Sequence, residues 1–197
     1  MKDKVNIILT GVGGHGVITA ANILGKAALK AKINVFVSEV HGMAQRGGSV
    51  NCTIRMGDNV SGPLVASGTA DAIVSTEPIE ALRYIHYSKK DTKIITDITP
   101  VIPFTVSVGS EEYPDINTVL KELKNYGTLY KFDAVKIAKD SGDLIVKNIV
   151  MLGALAAIDV LPFKKEILLE TIFENVPAKY KDMNKKAFEN GFKAIKK

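Results

Sequence analysis

The chain has 197 residues, a formal net charge of +5, 46% hydrophobic residues and 24% charged residues. This length and composition are typical of a soluble globular protein with one full α/β core. Trp is absent and aromatic residues make up 7%, so stacking platforms are scarce and no nucleic-acid partner is expected.

The chain contains one cysteine, Cys52. A single thiol cannot form an internal disulfide, and it cannot supply the roughly four thiolates that an iron–sulfur cluster needs. The three histidines and one cysteine match no zinc-binding pattern, so no metal site is expected. No apolar run is long enough to span a membrane, and the first residues lack the apolar stretch of a signal peptide. We therefore expect a cytoplasmic protein without membrane association.

The first predicted elements form a strand–helix–strand unit. A continuous apolar run predicts a buried strand over residues 5–9, and helical spacing of apolar residues predicts a helix over 14–31. A second strand is predicted over 33–37. A polar, glycine-rich loop over 38–49 and a third strand over 50–56 follow.

Short strands and helices alternate through the rest of the chain. Strands are predicted over residues 71–75, 93–96 and 128–132, with an edge strand over 105–108. Helices are predicted over 78–87, 115–125 with Asp115 as N-cap, 133–139, 147–159, 164–175 and 179–195. We therefore predict an α/β fold: a three-layer, Rossmann-like, mostly parallel sheet with flanking helices and a helical C-terminal segment. Residues 1–197 are treated as one domain, and whether 160–197 form a helical extension is left open.

A glycine loop follows the first predicted strand and opens the first predicted helix. Its sequence is Gly11-Val12-Gly13-Gly14-His15-Gly16. In such a loop the first glycine permits a tight turn, the second lets a ligand approach the backbone, and the third lets helix and strand pack closely. Unpaired N–H groups at the helix start favour phosphate or carboxylate. Two interpretations stay open: a site for a nucleotide-type ligand, or a tight turn without a ligand.

The second predicted loop concentrates polar side chains among glycines. These residues are Glu39, His41, Gln45, Arg46, Gly47 and Gly48. In a parallel sheet this loop is expected beside the first, where Glu39 could bind a ribose hydroxyl and Arg46 a phosphate or carboxylate. A nicotinamide dehydrogenase usually continues from its acidic residue into a helix, whereas this chain continues into a glycine turn and a strand. That difference argues against simple NAD binding.

Together these motifs resemble a known family. Gly11-Val12-Gly13-Gly14-His15-Gly16-Val17 and Ser38-Glu39-Val40-His41-Gly42-Met43-Ala44-Gln45-Arg46-Gly47-Gly48-Ser49-Val50 are similar to the gamma-type domain of 2-oxoacid:ferredoxin oxidoreductases. The chain length, His41-Gly42-Met43 and Lys147-Asn148-Ile149-Val150-Met151-Leu152-Gly153-Ala154 are most like the beta subunit of the indolepyruvate ferredoxin oxidoreductases. The resemblance covers nearly the whole chain.

The resemblance implies a role in a heteromeric complex. The complex decarboxylates an aryl 2-oxoacid on thiamine diphosphate, transfers the acyl group to coenzyme A and passes electrons through iron–sulfur clusters to ferredoxin. Thiamine and clusters are expected on a large partner subunit, so this chain is expected to be inactive alone. The gamma-type domain is associated with coenzyme A handling and with completing the assembly, so the resemblance implies coenzyme A as the candidate ligand of this chain and no other cofactor. Whether the isolated chain is a monomer or a homodimer is not fixed by the sequence.

The candidate site residues are those of the two loops. They are Gly11, Gly13, Gly14, His15, Gly16, Glu39, His41, Gln45, Arg46, Gly47 and Gly48. We assign them to ligand binding or to contact with the large subunit, and we assign no catalytic residue. Two other functions stay open at this point: a non-catalytic nucleotide- or coenzyme A-binding module, and an NAD-binding dehydrogenase.

Overall fold

A computed structural model describes residues 4–42 and 47–196 of the chain. Within these residues the strands are β1 (Val5–Val12), β2 (Val35–His41), β3 (Ser49–Met56), β4 (Ala70–Ser75), β5 (Ser88–Asp97) and β6 (Thr128–Phe132). They form one sheet in the order β2-β3-β1-β4-β5-β6. β3 runs antiparallel to its neighbours β1 and β2, while β1, β4, β5 and β6 are mutually parallel. The predicted mostly parallel sheet is confirmed.

Helices cover both faces of the sheet. They are α1 (Val17–Lys30), α2 (Pro78–Arg83), α3 (Phe104–Ser107), α4 (Ile116–Leu123), α5 (Ala134–Ser141), α6 (Lys147–Ala156), α7 (Lys165–Asn175) and α8 (Lys181–Ile195). Ile95 lies in a core with residues of α1, α5, α6, α7 and α8, whereas the adjacent Ile94 lies in a core with α2 and α4. Because successive strand side chains point to opposite faces, these two cores are the two interlayers of a three-layer fold. No helix in the described ranges is long and apolar enough to cross a membrane.

Two local predictions are wrong. The predicted loop over residues 38–49 is strand over 38–41, since β2 pairs with β3 through His41. An edge strand has one side open to solvent and therefore accepts polar residues that read as a loop. The predicted edge strand over 105–108 is the short helix α3, in which the Pro103 carbonyl accepts a hydrogen bond from the Ser107 backbone N–H at 3.1 Å. Proline favours the first turn of a helix because its φ is already helical.

Other predicted bounds shift by a few residues. β1 extends to Val12 and therefore includes Gly11, and β5 begins at Ser88 rather than at residue 93. The helix predicted over 78–87 divides into α2 and a 3-10 turn, Ile85–Tyr87.

The C-terminal helices α7 and α8 pack into the same hydrophobic core as the sheet. Leu168, Ile172 and Phe188 are buried members of that core. α6 and α8 approach closely at two glycines: a Cβ added at Gly153 would lie 2.1 Å from the Phe188 carbonyl oxygen. A Cβ added at Gly191 would lie 2.0 Å from the carbonyl oxygen of Val150. The close approach of the α6 and α8 backbones therefore requires glycine, which has no side chain, at both positions.

We expect Gly153→Ala to lower the free energy of unfolding by about 3 kcal/mol, because the added methyl group forces the α6 and α8 backbones apart. Urea denaturation followed by circular dichroism measures the change. Gly62→Ala is the control, since a Cβ there meets no atom within 4 Å. Equal stability of the two variants would contradict the expected backbone clash. A separate early transition would indicate that the C-terminal helices unfold as their own unit.

Candidate ligand site at the carboxyl ends of the strands

The glycine loop connects β1 to α1 and is shaped by two side chains from elsewhere in the fold. A Cβ at Gly11 would lie 1.9 Å from Oγ1 of Thr76, so Thr76 occupies the space that a side chain would need. Gly16 precedes α1 with a left-handed φ of +72°. Asn148 packs against it and donates a hydrogen bond from Nδ2 to the Gly16 carbonyl at 3.3 Å. Both positions therefore require glycine for close packing, and Gly16 also for its backbone conformation.

The structure brings the two glycine-rich loops into direct contact. The Gly13 N–H donates to the Gly48 carbonyl at 2.8 Å, and the Gly47 N–H donates to the Gly13 carbonyl at 3.2 Å. Gly47 and Gly48 are thus held against the glycine loop by a reciprocal pair of backbone hydrogen bonds. Gln45 and Arg46 lie between β2 and β3 but outside the described residues. The predicted proximity of the two loops is confirmed for Gly47 and Gly48.

The glycine loop lies where neighbouring parallel strands send their chains to opposite faces of the sheet. β1 continues into α1 on one face, and its neighbour β4 continues into α2 on the other. Thr76, directly after β4, donates its backbone N–H to the Thr10 carbonyl at 3.0 Å. Such a change of direction leaves a crevice at the carboxyl ends of the strands, where open α/β sheets commonly bind ligands.

A buried ion pair lies beneath the glycine loop. Nζ of Lys147, the first residue of α6, is 2.6 Å from Oδ2 of Asp97 at the end of β5. The Lys147 ammonium also donates to the Thr76 carbonyl at 2.8 Å, and Oδ1 of Asp97 accepts from the Ala134 backbone N–H at 2.9 Å. Lys147 is 3% exposed and Asp97 0%. The pair therefore connects the ends of β4 and β5 to the starts of α5 and α6.

His15 lines a cavity of about 410 Å³ beside this ion pair. The lining residues are Gly14, His15, Thr99, Val101, Val135, Leu144, Ile145 and Lys147. Nδ1 of His15 is buried without a hydrogen-bond partner among the described residues. Burial lowers the pKa of His15, the Lys147 charge lowers it further, and Asp97 partly opposes them. A neutral imidazole with a free nitrogen is thus available to a ligand in a mostly apolar cavity.

A second cavity of about 630 Å³ lies on the other side of Gly14. Gly16, Thr19 and Asn148 form part of its wall, together with residues of α8 and of the segment after α7. Ile145 lines both cavities and is 75% exposed, so it stands between them at the surface. The two cavities flank the glycine loop, and a ligand lying along that loop would meet both.

Glu39 and His41 do not have the positions expected in a nicotinamide dehydrogenase. Both belong to β2, and β3 separates β2 from β1. Glu39 is exposed and lies opposite Cys52 of β3, where its charge adds to the effect of burial that raises the Cys52 pKa to about 12. Glu39 is therefore not on a strand adjacent to β1, and its assignment to ribose binding stays a prediction.

Sequence reasoning missed most of the residues that shape the site. Thr76, Asp97, Lys147 and Asn148 are not among the predicted site residues. A signal was present for one of them, since Lys147 stands at the start of an otherwise apolar helix, where a buried lysine requires an acidic partner. Its partner is distant in the sequence, so the pairing needs the fold.

Comparison with known proteins places the chain in a family. Residues 6–194 match the family described as pyruvate ferredoxin/flavodoxin oxidoreductase. The chain is 48% identical over 196 residues to a Pyrococcus horikoshii protein named indolepyruvate oxidoreductase subunit IorB, covering 98% of this chain and 96% of that protein.

Solved structures show the same fold. The gamma subunit of a keto/oxoacid ferredoxin oxidoreductase from Geobacter sulfurreducens superposes with a TM-score of 0.71 and 25% identity, over 97% of this chain and 98% of that chain. A 2-oxoglutarate:ferredoxin oxidoreductase from Magnetococcus marinus, with 2-oxoglutarate, coenzyme A and succinyl-CoA bound, gives a TM-score of 0.74 at 20% identity. That likeness concerns the fold, and it covers 100% of this chain but 32% of the Magnetococcus chain.

The fold and the paired glycine loops define a Rossmann-like subunit with a crevice at its strand ends. The chain belongs to the pyruvate ferredoxin/flavodoxin oxidoreductase family, and it has the length and fold of the small gamma-type subunit of a 2-oxoacid:ferredoxin oxidoreductase. The resemblance seen in the sequence is confirmed.

We expect Lys147→Met to lower the free energy of unfolding by about 3–5 kcal/mol, because it leaves the Asp97 carboxylate buried without its partner charge. The double variant Lys147→Met/Asp97→Asn should regain most of this loss, since no uncompensated charge remains. Urea denaturation of the single and double variants measures the coupling. A double variant as unstable as the single one would show that the ion pair is not the source of the loss.

The free energy of unfolding should depend on pH through His15. Its folded pKa lies below the usual 6.5, so on acidification the unfolded chain takes up a proton first and gains stability relative to the native state. Stability is therefore lost as the pH falls below about 6.5, down to the folded pKa. We expect His15→Gln to lose less stability than the wild type between about pH 7.5 and about pH 5.5 in urea denaturation. His86→Gln controls for removal of an exposed histidine, and equal losses in all three proteins would contradict the expectation.

Proposed function

We propose that this chain is the small subunit of a cytoplasmic complex that oxidatively decarboxylates aryl 2-oxoacids of the indolepyruvate type. The carboxyl group leaves as carbon dioxide, the acyl group is transferred to coenzyme A, and the electrons pass to ferredoxin. The observation that carries this proposal is the 48% identity, over nearly the whole of both chains, to the Pyrococcus horikoshii protein named for indolepyruvate.

We further propose that thiamine diphosphate and the iron–sulfur clusters are held by a large partner subunit. This chain has one cysteine, and burial raises the pKa of that thiol to about 12, so it does not supply the thiolates that a cluster needs. Within residues 4–42 and 47–196 no group of three or more His, Cys, Asp or Glu side chains is arranged to hold a metal ion. When bound to the partner, thiamine would supply the carbanion chemistry and the clusters the electron transfer.

The contribution of this chain would be to hold the anionic groups of coenzyme A at the paired glycine loops. The start of α1 presents backbone N–H groups that favour phosphate. Gly14 is exposed, and a Cβ there would meet no atom within 4 Å, so a ligand has space to approach the backbone. Arg46 lies outside the described residues but is next in sequence to Gly47, whose N–H is bonded to Gly13, and we propose it as the cationic partner of the phosphates.

Reconstitution tests the proposed function. The chain is purified from its native cell together with its partners, which mass spectrometry identifies, and the two subunits are then produced separately and mixed. We expect reduction of a dye by an aryl 2-oxoacid to require both subunits and coenzyme A. Full activity of this chain alone, or of the large subunit alone, would overturn the proposal.

Arg46→Ala should raise the KM for coenzyme A about tenfold or more in the reconstituted complex, because a charge-assisted contact to phosphate is lost. The free energy of unfolding should change little, since a loop arginine contributes little to the core. Lys90→Ala removes the same charge from an exposed position near the start of β5, at the opposite end of the sheet, and should leave the KM unchanged. If both variants have wild-type KM values and assemble normally, Arg46 has no role in binding coenzyme A.

A further inference from the structure

Two buried carboxylates lie at the start of α2. Glu77 immediately precedes the helix and is 2% exposed, and Glu80 lies in its first turn and is 6% exposed. A carboxylate oxygen of Glu77 accepts a hydrogen bond from the Glu80 backbone N–H at 2.9 Å. Burial raises the pKa of Glu77, and the charge of Glu80 adds to this rise. Burying two acidic groups so close together costs stability. Their hydrogen-bond partners therefore indicate what role the two carboxylates have.

Glu80 holds the start of β3, next to Gly48. The Ser49 hydroxyl donates to Oε2 of Glu80 at 2.5 Å, and Oε1 accepts from Nε of Arg83 at 3.2 Å. Ser49 directly follows Gly48, whose carbonyl accepts the hydrogen bond from Gly13. The Glu80 carboxylate is therefore one residue away from the contact that joins the two glycine-rich loops.

Glu77 holds a different segment, residues 98–115, which connects β5 to α4. The Tyr113 hydroxyl donates to Oε1 of Glu77, and the Val101 backbone N–H also donates to this carboxylate. Val101 and Thr99 form part of the wall of the cavity that contains His15. The Glu77 carboxylate thus anchors this wall at Val101 and, through Tyr113, near the other end of the segment.

We propose that Glu77 and Glu80 are positioning residues that hold the two segments bordering the glycine loop at a fixed separation, a role that rests on the proposed ligand site at the strand ends. Glu80 sets the place of Gly48 and of the start of β3 through Ser49. Glu77 sets the place of residues 98–115 through Tyr113 and Val101. One short helix, α2, thereby fixes both the contact of Gly48 with the glycine loop and the wall of the cavity that contains His15.

Two conservative variants each remove one of the two hydroxyl hydrogen bonds to the glutamates. Tyr113→Phe removes the hydroxyl donor to Glu77, and Ser49→Ala removes the hydroxyl donor to Glu80, while both glutamates keep backbone or side-chain partners. Tyr126→Phe is the matched control, because Tyr126 hydrogen-bonds to Glu122 at the protein surface, away from the crevice.

Hydrogen exchange of the full-length chain, detected by NMR, measures the positioning directly. We expect Tyr113→Phe to speed exchange of the Val101, Ser107 and Gly109 amides about tenfold and to leave the Gly13 and Gly47 amides unchanged. Ser49→Ala should have the opposite pattern, and Tyr126→Phe should change neither group. Exchange in Tyr113→Phe and Ser49→Ala that matches the control would overturn the proposal.

Kinetics of the reconstituted complex distinguish positioning from a purely structural role. Tyr113→Phe and Ser49→Ala should each raise the KM for coenzyme A about fivefold and leave kcat within about twofold, because ligand binding is weakened uniformly. Faster exchange with an unchanged KM would show that the glutamates support the fold alone, and would also overturn the proposal. Failure of the proposed function would appear differently, as a wild-type complex whose activity does not depend on coenzyme A.

Discussion

The ion pair between Lys147 and Asp97 determines the geometry of the glycine loop. Charges buried this deeply are stable only when paired, so the start of α6 and the end of β5 must come together for the domain to fold. Lys147 also bonds to Thr76, which packs on Gly11, and the next residue in the chain, Asn148, packs on Gly16. Both ends of the loop are therefore fixed by elements that lie far away in the sequence.

The electrostatics of the crevice follow from the same pair. Among the described residues that line the two cavities beside the glycine loop, Lys147 is the one cation, and Asp97 matches its charge. Among these residues, an anionic ligand would therefore depend on backbone N–H groups for its positive counterpart. Neutral His15 lies on the apolar side of the crevice. A long ligand would thus meet backbone N–H groups at its charged end and an apolar cavity with a neutral imidazole at its uncharged end.

Most elements of the fold could be predicted because apolar periodicity reports burial directly. Asp115, for example, caps α4 as expected, accepting from the Thr118 N–H at 2.8 Å. The direction of β3 could not be predicted, since alternating burial is the same for parallel and antiparallel strands. Ser38 to His41 read as a loop because an edge strand tolerates polar residues. The site could be predicted only where its residues are close together in the sequence. The glycine motifs can be recognised in this way, whereas the pairing of Lys147 with Asp97 becomes visible only in the folded structure.

The burial of Cys52 has a practical consequence for studying this subunit. A thiol with a pKa of about 12 is ionised to roughly one part in a hundred thousand at neutral pH, so alkylating reagents and mild oxidants find almost no thiolate. We therefore expect the natural Cys52 thiol to react slowly with such reagents. A cysteine introduced at an exposed position such as Ile145 would be the one reactive thiol, and a fluorophore attached there would report on the crevice without any change to the native core.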